Sequence, residues 1–169
     1  MKRIVILGPS GTGKTTLGRN LSEKLNIKAL PLDSVYWKKN WSNISKPEFN
    51  IYMHKFLIKN NSWIIDGNYS NHHHLKYRLD LADTIIILDY GVKASLKGIL
   101  ERARKFKNKT RSDMPTGCTE GVDQEFLQYT VFYTPRGRMV KAKALKYKNK
   151  KQVIVFKNRQ ELNNWFHAL

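Results

Sequence analysis

The chain has 169 residues, 41% of them hydrophobic, with a formal net charge of +18. That length suits one ordinary hydrophobic core rather than two, and apolar runs such as Ile85 to Leu88 fall far short of the roughly 20 residues a membrane span needs. The single cysteine, Cys118, excludes an internal disulfide and reads as a small, partly buried residue in a reducing compartment.

The opening MKRIVILGPS has the basic pair and apolar run of a signal peptide. The run is short and glycines follow it, so RIVIL (3 to 7) reads as a first buried strand and the expected location is the cytoplasm. GPSGTGKTT comes next, in which Gly8-x-x-x-x-Gly13-Lys14-Thr15 matches the P-loop pattern, and a helix (14 to 25) follows at once. Gly8, Pro9, Ser10, Gly11, Thr12, Gly13, Lys14, Thr15 and Thr16 are the expected nucleotide-binding residues. Their glycines let backbone N–H groups turn inward around phosphates, and the helix N-terminus adds to the field. Lys14 is expected to reach the terminal phosphates and the Thr15 hydroxyl to ligate Mg²⁺.

The second strand (28 to 32) runs into LPLDSVYWKKNW. Asp33 there is an isolated carboxylate at a strand's C-terminal end, the edge along which open α/β sheets bind ligands. It is expected to accept or orient a substrate hydroxyl's proton, with Tyr36, Trp37 and Trp41 as an aromatic wall. The alternative is a helix N-cap at Asp33 with the aromatics in the core. A helix (47 to 60) follows, opened by the capping-box pattern Ser45-x-x-Glu48. The third strand, SWIID (62 to 66), ends in Asp66-Gly67-Asn68-Tyr69. Asp66 stands beside the P-loop as a candidate for Mg²⁺ or substrate, against the alternative of a turn Asp, and Gly67 permits close backbone approach.

His72, His73 and His74 open the next helix (72 to 81). Adjacent positions on a helix point in different directions, so they suit a metal poorly and read as a polar loop. Strand four (84 to 89) ends in one Asp with no following Glu. The paired Asp-Glu of helicase-like hydrolases is therefore missing, and transfer to a substrate is favoured over hydrolysis.

A helix (93 to 107) leads into the basic run ERARKFKNKTR (101 to 111). The segment 108 to 122, with Pro115, Gly117 and Gly121, has no clear periodicity and reads as a mobile insertion. Helices at 123 to 133 and 137 to 148, a strand at 152 to 156 and a helix at 160 to 169, capped by Asn158-x-x-Glu161, complete the chain. Residues 1 to 90 carry a net +6 and residues 91 to 169 a net +12, a field that favours polyanions of any kind. The run 141 to 151, KAKALKYKNKK, is open to non-specific phosphate-backbone binding or to solvation as helix surface. Strands without polar alternation, separated by helices, indicate an α/β protein with a parallel sheet covered on both faces.

Taken together, these motifs resemble the adenylate-kinase-like small P-loop kinases. GPSGTGKTT, LDSVYW, DGNY and RSDMPTGCTEGVD with Phe126 more closely resemble the bacterial DNA topology modulation protein family, a likeness that spans nearly the whole chain. The resemblance implies a three-layer P-loop NTPase fold in one domain (1 to 169). Its five-stranded parallel sheet has the order 2-3-1-4-5, with a helical substrate-binding insertion at about 42 to 61 and a lid at about 102 to 122. Adenylate kinases carry Asp-Gly-Phe-Pro-Arg where this chain has Asp66-Gly67-Asn68-Tyr69. Asp66 and Gly67 carry over, and the Arg that clamps a nucleotide monophosphate does not. The lid's position implies Arg102 or Arg104 stacked on adenine and Arg111 near the phosphates. It places Arg136 and Arg138 near the transferring phosphoryl group, and Lys157 and Asn158 beside the adenine.

The function expected is an ATP- and Mg²⁺-dependent kinase. Its catalytic residues would be Lys14, Asp33, Arg111, Arg136 and Arg138, with Asp33, Tyr36, Trp37, Asp66, Gly67 and Tyr69 facing an unidentified hydroxyl- or phosphate-bearing small molecule. The alternative is a nucleotide-regulated nucleic-acid-binding protein.

Overall fold

The computed structural model describes residues 1–70, 74–132 and 134–169, without the side chains of 134–136. His72 and His73 therefore lie outside the described residues, and Arg136 is described only as part of a helix.

Five strands form one parallel sheet: β1 (Arg3–Leu7), β2 (Ala29–Pro31), β3 (Trp63–Asp66), β4 (Thr84–Leu88) and β5 (Gln152–Phe156), in the order 2-3-1-4-5. The sheet is the one expected from the resemblance. Its strands read as unbroken apolar runs because both faces are covered. Val5, Leu7, Ile65, Ile85 and Ile87 face one core with Phe49, Met53, Leu75, Leu79 and Val140, whereas Ile4, Ile6, Ile64, Ile86 and Leu88 face another with Leu17 and Leu21. The first core is roofed by α3 (Lys46–Lys59), α4 (His74–Leu81) and α7 (Thr134–Leu145). The second lies under α1 (Lys14–Leu25) and α8 (Arg159–Ala168).

Both expected caps are present. Ser45 and Glu48 form a reciprocal capping box at α3, and the Asn158 side chain accepts from the Glu161 N–H at α8. Two further helices follow β4: α5 (Gly91–Lys105) and α6 (Gln124–Val131).

Three expectations need correction. A short helix, α2 (Leu32–Tyr36), directly continues β2; its N-cap is Pro31, so Asp33 lies in the first turn and is not the cap. The segment 108–122 is not loose. Met114, Cys118 and Glu120 are buried in it, bridges join Lys107 to Glu120 and Thr110 to Thr119, and it docks on residues 38–41. The Cys118 thiol donates to the Lys38 carbonyl at 3.2 Å, and Trp41 donates its indole N–H to the Thr119 carbonyl. Cys118 is thus fully buried rather than partly so.

The run 141–151 is largely solvated surface, with Lys143, Lys146, Lys148 and Lys150 exposed, and Lys141 and Lys151 are the lysines that turn inward. Lys141 reaches Asp89 at 2.6 Å, and the Lys151 ammonium donates to the carbonyls of Leu79 and Asp80 at the end of α4. There it satisfies terminal acceptors that the helix leaves open.

Candidate functional site

The ends of β1, β2 and β3 place the P-loop, Asp33 and Asp66 along one edge of the sheet. Gly11 (φ +76°) and Gly13 (φ +89°) adopt left-handed backbone that lets the loop curl, and Gly13 caps α1 without a side chain. Thr12 Oγ1 and Lys14 Nζ both donate to the Pro9 carbonyl at 2.8 Å, so the loop is closed from inside and the lysine lies across it. Burial lowers the Lys14 pKa below the ordinary lysine value. Asp66 and then Asp33 oppose that shift, while Arg102 and Arg111 add to it. These five charges therefore share one electrostatic neighbourhood.

Sequence reasoning missed the surface that backs the loop. Gly98 sits in the middle of α5, where a Cβ would lie 2.0 Å from the Gly11 carbonyl oxygen. The helix can approach the loop this closely only because position 98 has no side chain. A glycine inside an amphipathic helical pattern was the available signal.

On the other side, Thr15 Oγ1 lies 3.3 Å from Asp66 Oδ1, a hydroxyl and a carboxylate side by side. That pair fits a hard cation that keeps most of its water, as Mg²⁺ does. Among the described residues no cluster of three or more His, Cys, Asp or Glu side chains suggests a more closed metal site. Burial pushes the Asp66 carboxyl up to about 7, against the pull of Lys14.

The sign of that shift is testable. A carboxyl raised above its unfolded value holds a proton that the unfolded chain has released, so its contribution to stability falls as pH rises from about 4 to 7. Asp66→Asn is expected to melt above the unsubstituted protein at pH 8, with the difference vanishing near pH 4. Thermal scans at both pH values check this, and a lower melting temperature at pH 8 would contradict the shift.

Beyond Asp66, Asn68 pairs with the first glycine of the P-loop in both directions. The Gly8 N–H donates to Asn68 Oδ1 at 3.1 Å and Asn68 Nδ2 donates to the Gly8 carbonyl at 2.7 Å. Arg78, fully buried on α4, holds this turn: Nη1 donates to Gly67 O and Nη2 to Asn68 O, both at 2.9 Å. Neither Asn68 nor Arg78 was singled out from sequence. An arginine in a helical pattern reads as solvated, and only the fold reveals the carbonyls it meets.

Asp33 Oδ1 accepts the Tyr69 hydroxyl at 2.7 Å. Tyr69 stacks on Phe49 and packs against Tyr36, which meets Trp37 edge-on. The aromatic wall is therefore continuous with the core. Trp41 extends it towards segment 108–122, with its ring centroid 5.3 Å from that of Trp37.

Of the basic residues, Arg102 and Arg111 converge on buried Glu120, with Nε to carboxylate distances of 3.0 and 2.6 Å. Arg111 Nη1 also meets Asp113 at 3.1 Å. Asp113 is another residue unnoticed in the sequence, and its charge acts on Asp66. Arg104 is exposed near the end of α5. Lys157 pairs with Asp89 at 2.6 Å and Asn158 caps α8, so both already have structural partners. Arg138 lines a cavity of about 280 Å³ together with Pro9, Asn68, Asp89, Thr130 and Lys141.

Among known proteins, a Bacillus subtilis protein described as uncharacterized protein YqaC is 30% identical over 146 residues, covering 85% of this chain and 79% of its own. The chain belongs to the YqaC family. No protein-family model matches the sequence. Among solved structures, shikimate kinase from Bacteroides thetaiotaomicron superposes with a TM-score of 0.53 at 15% identity, over 99% of this chain and 95% of that one. Deoxyadenosine kinase from M. mycoides gives 0.50 at 15% identity, over 98% and 99%. At such identities the likeness is one of fold, which this chain shares with both kinases.

Proposed function

We propose that this protein is an ATP-dependent phosphotransferase with a small-molecule acceptor, and that segment 102–122 is its lid. The observation that carries the reading is the shared electrostatic neighbourhood of Lys14 with Asp66, Asp33, Arg102 and Arg111, beside the Thr15–Asp66 contact at the P-loop. A loop that only turned the chain would not gather three cations and two carboxylates against their desolvation cost. The solved kinases of the same fold support the class and differ in acceptor, so they leave the substrate open.

In this reading the P-loop N–H groups and Lys14 hold the β- and γ-phosphates of ATP. Thr15 and Asp66 hold Mg²⁺, which when bound offsets charge on the phosphate oxygens. Arg102 and Arg111 approach the same oxygens from the lid, where a guanidinium fork stabilises charge that grows during transfer. The Tyr69 hydroxyl occupies one Asp33 oxygen, so the other orients the acceptor hydroxyl and takes its proton. Tyr36 and Trp37 flank that acceptor. Arg138, near the start of α7, approaches the transferring group, and docking of the lid on residues 38–41 excludes water from it.

The test is a screen of polyhydroxylated metabolites and nucleosides for stimulated ADP release, followed by Asp33→Asn. The substitution is expected to suppress acceptor-stimulated turnover by about a hundredfold and basal hydrolysis far less. Equal loss of both would assign Asp33 to ATP binding or structure. The nucleic-acid alternative gains no supporting contact, since Lys141 and Lys151 of the basic run point to Asp89 and to the α4 carbonyls.

A further inference from the structure

Glu120 is a carboxylate buried in a segment rich in solvated lysines, and its two oxygens are divided: Oε2 accepts a hydrogen bond from Arg102 Nε, and Oε1 forms an ion pair with Arg111 Nε without hydrogen-bond alignment. Its backbone is fixed as well, through its N–H to the Lys109 carbonyl and the bridge to Lys107. The two arginines come from different elements, one from the last turn of α5 and the other from the following loop. Among the described residues, Glu120 is the one acidic side chain paired with both. Arg102 meets it through Nε, which leaves both terminal nitrogens for a second anion, whereas Arg111 has Nη1 on Asp113 and keeps Nη2 for that role. On Arg102 neither terminal nitrogen hydrogen-bonds a described residue, while Arg111 is steadied on Nη1 by Asp113. Both cations act electrostatically on Lys14, so the two charges share the neighbourhood of the P-loop lysine.

We infer that Glu120 is a positioning residue that holds Arg102 and Arg111 as one preset clamp for the terminal phosphates of the nucleotide. The inference rests on the nucleotide reading of the site given above. A guanidinium can engage one carboxylate through Nε and another anion through its terminal nitrogens. Glu120 therefore need not be displaced when phosphate arrives, and the ordering cost of two long side chains has been met beforehand.

A counter-ion that merely damped the two charges would have the opposite effect on the arginines' contribution, and a double-mutant cycle in the full-length protein separates the two. The probe is ATP with Mg²⁺, with AMP as the control that lacks the terminal phosphates. Arg102→Gln is expected to weaken ATP binding roughly tenfold with Glu120 in place and less than about threefold in a Glu120→Gln background, AMP being little changed. An equal cost in the two backgrounds overturns the proposal. A larger cost without Glu120 also overturns it, because that is the signature of a damping counter-ion.

Glu120→Asp repeats the cycle with the charge retained and the carboxylate drawn back by one methylene. An undiminished Arg102 cost there argues against placement and sinks the idea. Fluorescence of Trp41, whose indole donates to the Thr119 carbonyl, reports whether the segment is still docked in each variant. Failure of the unsubstituted protein to bind ATP would remove the nucleotide reading and this inference together. ATP binding with no Arg102–Glu120 coupling would remove the inference alone.

Discussion

Lys14→Ala is expected to reduce ATP turnover by at least about a hundredfold, as loss of a charge donor in a water-poor site does, while the folded protein becomes no less stable. The two halves have one cause. The Lys14 ammonium is part-buried, hydrogen-bonded to the Pro9 carbonyl and depressed in pKa, so its charge is held in a place that disfavours it. A base whose folded pKa lies below its unfolded value destabilises the fold most at lower pH, where both states are protonated, and that penalty fades as pH rises towards the unfolded value. Alanine removes the penalty at neutral pH together with the contact to phosphate. Asp66 and Asp33 then lose a nearby cation, which offsets part of the gain. Turnover assays paired with thermal melts at pH 7 check both halves. Undiminished turnover would reject the P-loop assignment, and a large fall in melting temperature would mean that the ammonium is structural.

The chemistry nearest the phosphates was legible from the amino-acid sequence because backbone geometry dictates it locally. Gly8, Gly11 and Gly13 meet a left-handed or otherwise side-chain-excluding requirement, and Lys14 and Thr15 follow at fixed spacing. The strands were legible because both faces of a parallel sheet are buried. Their order came only with the family resemblance, since strand pairing is non-local and apolar runs carry no label for their neighbours.

What stayed hidden depends on meetings across the chain. Arg78 encounters the turn at Gly67 and Asn68 only after α4 folds back on β3, and Glu120 becomes a hub only when the end of α5 and the following loop come together. Lys141 and Lys151 read as surface because a lysine pattern does not show that Asp89, or the last carbonyls of α4, lie within reach. The short helix α2 was missed for a different reason. Five residues following a strand, with β-branched Val35 among them, carry too few turns for a helical period to show.

Arg78→Met is the substitution expected to harm stability most. Methionine fills much of the same space and removes a buried cation, whose pKa burial has already brought down to about 10. It cannot donate, however, so the carbonyls of Gly67 and Asn68 lose the Arg78 donors. Leaving a buried acceptor unsatisfied costs about 1–3 kcal/mol; the buried Gly67 carbonyl bears that in full and the part-buried Asn68 carbonyl less, which together outweigh the desolvation relieved and give a net loss of roughly 2–4 kcal/mol. For a chain of this size that is a fall of roughly 5–15 °C in melting temperature. Arg78→Lys keeps the charge but has no fork to span two carbonyls, so it should recover only part of the loss.

The same turn holds Asn68 against Gly8. Nucleotide affinity should therefore fall in both Arg78 variants even well below their melting temperatures. Asn68→Ala separates the two roles, because it cuts the link to the P-loop and leaves the Arg78 contacts to the backbone intact. Its expected result is a weakened nucleotide complex with a much smaller loss of stability. Should Arg78→Met melt with the unsubstituted protein, the two carbonyls must have found water, and the turn would then be held by Asn68 alone.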